Sequence, residues 1–474
     1  MKKILLLVLP LMMGGVCHAE DITIRYNGSK VKVMQAKKDS VKVTVKDANV
    51  HIESLYKDHK LSVRLTGKSN DGQLVLKTAG KAKVKLDGLE LTSQEGAPLE
   101  LRNKKKVEVV AVKGSKNTLA ITACKDTTNH KGAVLWAKDK LLLSGKGTLN
   151  IVATGDGCRG IKTKKDITIE ELTLNVTTSG DNLGEKPFGF GGFPGMPEGG
   201  FQMPEGGFQM PNFGEGMPNF GGGFPMMNDS IEGGFGGGFA GKHKYVASTK
   251  GIASKGKITI NSGKVTVRTS TAGAEGIEGK EGVVFNGGNI DVESTDDAIN
   301  ANACIEFNGA IVTARSKGND AVDSNPKGGF FMPFGSNNSQ EQDPAIVIRG
   351  GSVYAWSQVG SPEEGLDCDF APLVVEGGTI FSVGGGMGEM PSVPTNATAK
   401  QPTVLLIGLN IIENEPVYIY EGSKLLDTVT IPFSLRRSAS LVSSSAFKVG
   451  NTYTVKTKGY DKTFTINEPF TTVR

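Results

Sequence analysis

Pairs of acidic or amide residues recur in the second half of the sequence, each directly before a small residue and an aliphatic one. The clearest copy is Asp296–Asp297 before Ala298–Ile299, in the stretch STDDAINANACIEFNGA. Asn319–Asp320 and Glu363–Glu364 stand at the same place before their own small-plus-aliphatic pairs. Carboxylate and amide oxygens are the ligands that hard cations such as calcium prefer. The position of these acids in the fold therefore decides whether they can act together.

The small-plus-aliphatic pairs mark an internal repeat. They begin at Gly251, Gly276, Ala298 and Ala321, which gives successive steps of 25, 22 and 23 residues. Each unit also holds two short runs whose apolar residues lie two apart, with a glycine-rich turn between them. A period of two is typical of strands. Units this short cannot bury an apolar face alone, so they must stack on one another.

The pattern predicts an all-β protein built as a single right-handed parallel β-helix, with the handedness taken from the general preference of parallel crossovers. Asn261, Asn286 and Asn308 fall at one turn position of successive coils, which indicates either an asparagine ladder or a common turn residue. The predicted domain organisation is a signal peptide at 1–19, an N-terminal β-rich segment at 20–125, the β-helix at 126–400 with Gly/Phe/Met/Pro-rich insertions at 184–241 and 325–344, and a C-terminal β-rich cap or module at 401–474.

The N-terminus predicts export. MKKILLLVLPLMMGGVCHAE has two lysines, an apolar stretch and a small residue at Ala19, which is typical of a cleaved signal peptide. The destination would be the periplasm, the cell surface or the medium. No other segment is long and apolar enough to cross a bilayer.

The net charge and the cysteine content limit which partners and which redox chemistry the sequence predicts. Removing residues 1–19 takes away Lys2 and Lys3, so the formal net charge falls from +5 to +3 (5 − 2). A balance this close to neutral does not indicate nucleic-acid binding. An even number of cysteines permits disulfides without showing them, and the alternative is that they are small buried residues. The four cysteines that remain after cleavage are Cys124, Cys158, Cys304 and Cys368.

Stacked coils would bring the acids of successive repeats together along one edge, which we call the acidic column. Like charges at close range raise each other's pKa unless something offsets them, and calcium, with its flexible oxygen shell, suits that role. The alternative is a solvated acidic turn. Coils with Arg159 or Lys250 at these positions are expected to hold no metal. The predicted metal ligands are Asp296, Asp297, Asn300, Asn319, Asp320, Asp323, Glu363, Glu364, Asp367 and Asp369.

The recurring D-D-G/A-I phrase, the stretch LDGLELTSQEGAPLEL at 86–101, NTLAIT and the Gly-Phe-Met-Pro insertions resemble the secreted bacterial β-helical carbohydrate-binding domain family. The resemblance covers most of residues 20–400. It implies a pectate-lyase-like right-handed β-helix, bound calcium, and affinity for polysaccharide without established catalysis. This sequence departs from the family phrase where alanine replaces glycine at Ala298 and where Asn319 replaces an acid.

A glycan groove is predicted on the outward face of the third strand of each unit. Aromatic faces stack on sugar rings, while Arg and Asp bind hydroxyls or uronate carboxylates. Glu293, between Arg268 and Arg315, is expected to pair with them. The alternative is that the 325–344 insertion covers this face as a satellite core. The predicted groove residues are Asp291, Arg315, Tyr354 and Trp356.

Three functions fit the sequence. The favoured one is an exported, calcium-dependent, non-catalytic polysaccharide-binding protein. A β-helical lyase would need calcium and a basic residue, for which Arg315 and Arg349 are candidates, and a hydrolase would need two carboxylates across a cleft. A surface adhesin would use the 184–241 insertion. The sequence does not fix the oligomeric state or the sugar.

Overall fold

The computed structural model describes residues 21–35, 40–124, 132–185, 245–326, 343–369, 371–386 and 391–474. Every secondary-structure element in these ranges is a β-strand, so the all-β prediction is confirmed. The predicted signal peptide and most of both predicted insertions lie outside the described residues. In the part of the chain that is described, no helix is long and apolar enough to cross a membrane.

The strands of the N-terminal half are β1 (Ile22–Asn27), β2 (Lys30–Gln35), β3 (Val41–Lys46), β4 (Asn49–Ser54), β5 (Leu61–Ser69), β6 (Gln73–Thr78), β7 (Ala82–Ser93), β8 (Leu99–Asn103), β9 (Val107–Ala111), β10 (Lys116–Ile121), β11 (Ala133–Ala137), β12 (Leu141–Ser144), β13 (Thr148–Ala153), β14 (Arg159–Thr163), β15 (Ile167–Ile169), β16 (Thr173–Thr178) and β17 (Leu183–Glu185).

The remaining strands are β18 (Tyr245–Ala247), β19 (Ile252–Ser254), β20 (Ile258–Ile260), β21 (Lys264–Thr269), β22 (Ile277–Gly279), β23 (Val283–Phe285), β24 (Asn289–Ser294), β25 (Ile299–Ala301), β26 (Ile305–Phe307), β27 (Ile311–Ser316), β28 (Val322–Ser324), β29 (Ile346–Ile348), β30 (Ser352–Ser357), β31 (Leu366–Asp367), β32 (Leu373–Val375), β33 (Thr379–Gly384), β34 (Thr403–Ile411), β35 (Pro416–Glu421), β36 (Lys424–Thr430), β37 (Leu435–Ser443), β38 (Thr452–Thr457), β39 (Tyr460–Thr465) and β40 (Phe470–Val473).

Strands at the same place in successive repeats pair in parallel and form three ladders. The first ladder runs β9, β12, β15, β20, β23, β26, β29, β32. The second runs β10, β13, β16, β21, β24, β27, β30, β33. The third runs β4, β6, β8, β11, β14, β19, β22, β25, β28, β31. The repeat units therefore stack as their spacing predicts, whereas closure into a right-handed β-helix stays a prediction.

Packing explains why each repeat needs a small residue before its aliphatic one. A Cβ added at Gly276 would lie 2.4 Å from a methyl group of Val292 and 2.5 Å from the carbonyl oxygen of Ala298. One coil later Ala298 takes the place of Gly276, and Ala314 takes the place of Val292. The extra methyl of the alanine is thus accommodated by the smaller residue on the facing strand, as close packing requires.

The predicted asparagine ladder forms. The Asn286 side-chain amide donates to Asn261 Oδ1 at 2.9 Å, and the Asn308 amide donates to Asn286 Oδ1 at 2.8 Å. Arg349 extends the ladder by donating from Nη1 to Asn308 Oδ1 at 3.0 Å. The bonds run between side chains, so this column ties three turns together without using the backbone.

The C-terminal strands build a second core. β35, β36, β38 and β39 form a four-stranded antiparallel sheet, and β37 pairs antiparallel with both β33 and β34. The end of the second ladder is thereby covered by the antiparallel strand β37. Cys124, Cys158, Cys304 and Cys368 form no disulfides with one another, and Cys158 and Cys368 are buried.

Candidate functional site

The third ladder brings the predicted metal ligands to one edge. Asn300, Asp323 and Asp367 are register partners on β25, β28 and β31, with their side chains in one outward row. Backbone hydrogen bonds align Asp297 and Asp320 in the row beside it. The predicted acidic column is therefore contiguous in space, although its residues span more than seventy positions of sequence.

Amide groups lie between the acids of the column. Asn300 Nδ2 donates to Asp297 Oδ2 at 2.7 Å and to Asp323 Oδ2 at 2.8 Å. Asn319 Nδ2 donates to Asp296 Oδ1 at 2.8 Å. The Asn300 amide links acids of two consecutive coils, whereas the Asn319 amide donates to one acid of the preceding coil, and each contact is a charge-assisted hydrogen bond.

The far end of the column is completed by Ser392, which the sequence analysis missed. Its backbone N–H donates to Glu364 Oε2 at 2.7 Å, and its hydroxyl donates to Asp367 Oδ1 at 3.3 Å. Glu364 also donates from its own backbone N–H to Asp320 Oδ1 at 2.5 Å. Ser392 lies outside every repeat, so no periodicity could have pointed to it.

Burial and mutual repulsion shift the titration of this end. Burial, and then the charges of Asp367, Asp296 and Asp323, raise the pKa of Glu363 to about 7. Burial and Asp367 raise the pKa of Glu364 to about 8. The pKa of Asp320 is raised well above its ordinary value for the same reasons. The neighbouring charges that raise the pKa of Glu363 are all carboxylates.

The donor chemistry of the column suits a hard cation, because its carboxylate and amide oxygens are what calcium takes. The positions of these groups, however, do not form a complete metal site. Within the described ranges, no group of three or more His, Cys, Asp or Glu residues is placed to hold a metal ion. Asn300 and Asn319 present their amide N–H groups to the acids. Cation binding would require these amides to turn their oxygens inward.

Where the row continues toward the N-terminus, a lysine supplies the positive charge that a metal ion would otherwise have to supply. Lys250 Nζ lies 2.8 Å from both Glu275 Oε2 and Glu278 Oε1, and all three side chains are about nine-tenths buried. Burial raises the pKa of Glu278, but Lys250 and Lys280 outweigh it and lower that pKa to about 2. The expectation of no metal near Lys250 is consistent with this neutralised network.

The register of the second ladder places the predicted groove residues as expected. Asp291, Thr313 and Tyr354 share one outward row, and Arg315 faces Trp356 in the next. The charged residues of these two rows form ion pairs with each other. Arg315 pairs with Glu293, and Arg268 pairs with Asp291.

Trp356 does not present its ring to solvent. Only 8% of it is exposed, its Nε1 donates to the carbonyl oxygen of Phe381 at 3.1 Å, and it belongs to the C-terminal core. Tyr354 packs against the same core, its ring centroid 6.0 Å from that of Trp356. The prediction of an exposed aromatic platform is therefore wrong for Trp356. The insertion at 325–344, the alternative cover, lies mostly outside the described residues. The described C-terminal residues that pack with Trp356 come from 404–473.

The candidate lyase bases have structural partners. Arg349 Nη1 donates to Glu306 Oε2 at 2.7 Å, and its Nε lies 3.3 Å from Glu376 Oε2. Arg315 is paired as above. Neither arginine stands beside the acidic column, because both belong to other ladders.

Comparisons with known proteins bear on the function. No curated protein matches the chain. One solved structure, titled as the polysaccharide lyase-like protein from C. thermocellum in a gadolinium derivative, matches with 18% identity and a TM-score of 0.41 over 64% of this chain and 92% of that chain. A similarity this low carries no argument here. The family model described as carbohydrate-binding domain-containing protein matches residues 46–186 and 231–321, which makes glycan binding the function to test.

Proposed function

We propose that the protein is an exported polysaccharide-binding protein that does not transform its ligand, and that binding depends on calcium held by the acidic column. The match to a carbohydrate-binding family model is the observation that carries glycan binding. The fold proposed for this role is a right-handed parallel β-helix built from the three ladders. Export would follow cleavage after Ala19.

The charge of the acidic column supports the calcium part of the proposal. Asp320, Asp323 and Asp367 would supply carboxylate ligands, and Asn300 would supply an amide oxygen. Burial raises the pKa of Glu363 and Glu364 most, and a bound divalent ion would offset the further rise caused by the neighbouring carboxylates. It would also offer a positive charge to carboxylates or hydroxyls of a glycan.

The partners of the candidate bases favour binding over catalysis. A lyase needs a basic group near the calcium-bound uronate, and the partners of Arg315 and Arg349 hold these side chains on other ladders. The enzymatic alternative keeps one supporting observation, since Glu363 and Glu364 have pKa values suited to proton transfer near neutral pH. Release of unsaturated products from polygalacturonate, followed by ultraviolet absorbance and abolished by chelator, would establish that alternative.

The test is a polysaccharide panel screened with the full mature chain in calcium, in magnesium and in EDTA. We expect retention of at least one polysaccharide in calcium and its loss in EDTA. The double variant Asp320→Asn/Asp323→Asn should lose both this retention and calcium binding by titration calorimetry. Glu413→Gln, which removes an exposed acid from the C-terminal module, is the matched control. Calcium-independent retention would refute the cation's role, and no retention of any glycan would refute the function.

A further inference from the structure

A column of basic residues follows one part of the third ladder, one position past each of β11, β14 and β19. The backbone N–H of Lys164 donates to the carbonyl oxygen of Ala137 at 3.2 Å, and that of Lys255 donates to Thr163 at 3.2 Å. Because Thr163 and Ala137 are register partners, Lys138, Lys164 and Lys255 occupy one position in three consecutive coils. Adjacent strands lie about 4.8 Å apart, so these ammonium groups are near neighbours.

Lys162 adds a fourth cation to the same face. It lies on β14 between the buried residues Ile161 and Thr163, so its side chain points outward, and Lys164 follows one position past the strand. The register partner of Lys162 on β11 is Trp136, whose ring is largely buried. Lys162 is half-buried, whereas Lys138 and Lys255 are exposed. We call Lys138, Lys162, Lys164 and Lys255 the lysine face.

The lysine face is not neutralised within the described part of the chain. None of its four residues forms an ion pair with a described acid, whereas the next lysines along the ladder, Lys250 and Lys280, both pair with Glu278. Burial, and then the charges of Arg159 and Lys255, lower the pKa of Lys162 to about 7. Holding a half-buried lysine among like charges costs stability. An anionic ligand would remove that cost.

We propose that the lysine face binds the carboxylate or sulfate groups of an acidic polysaccharide lying along the third ladder. The inference rests on the proposed glycan binding and adds both a second contact surface and the ligand class. The regular spacing of the cations suits a polymer with repeating charges. A polysaccharide fits better than a nucleic acid because the near-neutral protein otherwise lacks the basic excess that nucleic-acid binding uses.

The test measures binding of polygalacturonate and dextran sulfate by the full mature chain in EDTA, which removes the calcium contribution. Lys162→Gln/Lys164→Gln/Lys255→Gln should weaken binding at least about tenfold, since three electrostatic contacts are lost. The control Lys400→Gln/Lys424→Gln/Lys448→Gln removes the same charge from exposed positions and should change binding less than about twofold. The triple arginine variant of the lysine face keeps the charge and should retain binding. Circular dichroism and thermal melting verify that each variant folds.

Each other outcome contradicts the inference. Equal weakening by both triple-glutamine variants would show a non-specific charge effect. Equal affinity for polyglutamate or for DNA would show that no glycan is selected. Two results together would overturn this inference and leave the proposed function intact. The unmodified protein would bind no acidic glycan in EDTA, and calcium-dependent glycan retention would survive loss of the lysine face. Failure of the unmodified protein to bind any glycan in either condition would instead overturn the proposed function.

Discussion

From Lys162 onward, one outward row of the third ladder changes from a base to acids. Its register partners run from Lys162 through Ala253 to Glu278, and then through Asn300 to Asp323 and Asp367. The backbone repeats the same strand at each step, so every side chain stands in an equivalent place. The difference between the two ends is therefore chemical rather than architectural, and each end offers its charge to the opposite kind of ligand.

The two ends also differ in how their charge is managed. Between them, Lys250 and Lys280 pair with Glu275 and Glu278, so that two lysines offset two carboxylates. Beyond this junction the acids are bridged by amides and repel each other, and before it the lysines have no described acid partner. The junction shows what full internal compensation looks like on this surface. The two ends lack it, which supports an external partner at each.

The largest expected effect tests the junction. Lys250→Met would leave Glu275 buried without its cation and Glu278 with Lys280 alone, and breaking a buried pair in this way costs about 3 kcal/mol or more of unfolding free energy. The triple variant Lys250→Met/Glu275→Gln/Glu278→Gln removes the lysine together with both carboxylates, leaves no buried carboxylate without its cation, and should lose much less. Urea unfolding of both variants measures the difference. Equal losses would show that the ion pairs do not set the stability of the junction.

Calcium should stabilise the acid end and leave the lysine end unaffected. At a free calcium concentration one hundred times the dissociation constant, binding adds about 2.7 kcal/mol to the unfolding free energy. We expect a rise in melting temperature by scanning calorimetry that Asp320→Asn/Asp323→Asn abolishes. Lys164→Gln/Lys255→Gln should keep the full rise. A rise that survives in the acid-end variant would place the ion elsewhere.

The substitution Asn300→Asp tests whether the acids of the column are held together by the Asn300 amide or by a bound cation. In EDTA the variant loses two hydrogen bonds to Asp297 and Asp323 and gains a like charge, which should cost about 2 kcal/mol. Calcium should recover most of that loss, because the new carboxylate becomes a ligand. Asn302→Asp adds the same charge beside Lys280 and should need no calcium. Denaturant titrations with and without calcium decide the outcome.

The smallest effect concerns the pH dependence of the lysine end. Burial lowers the pKa of Lys162 most, Arg159, Lys255 and Lys164 lower it further, and Glu278 raises it, with a net value of about 7. The folded pKa of Lys162 is below the ordinary 10.5, so the fold gains stability as pH rises from 7 toward 10.5 and loses it as pH falls. Binding follows the opposite sign, because anions favour the charged form.

Affinity for polygalacturonate in EDTA should therefore fall a few-fold between about pH 6 and pH 8, within one unit on either side of this pKa. Lys162→Gln should bind more weakly and with a flatter pH profile. Lys448→Gln is the control and should keep the slope of the unmodified protein. An unchanged slope in Lys162→Gln would assign the pH dependence to another group, such as a histidine.

Periodicity explains why much of the fold could be predicted. The apolar residues two apart, the glycine-rich turns and the constant step identify three strands per unit, and the register of Asp291 with Thr313 and Tyr354 follows from alignment alone. The acidic column follows in the same way. What breaks the repeat could not be predicted: Ser392 enters from a non-repeating segment, and the C-terminal strands bury Trp356.

The sequence by itself determined which residues stack. A repeat that cannot bury its own apolar face fixes the neighbours of every side chain in the row, including the exchange of Gly276 and Val292 for Ala298 and Ala314. Only the tertiary structure decided which stacked residues remain exposed. Exposure depends on what packs over a row, and the cover of Trp356 comes from C-terminal strands that spacing does not connect to it.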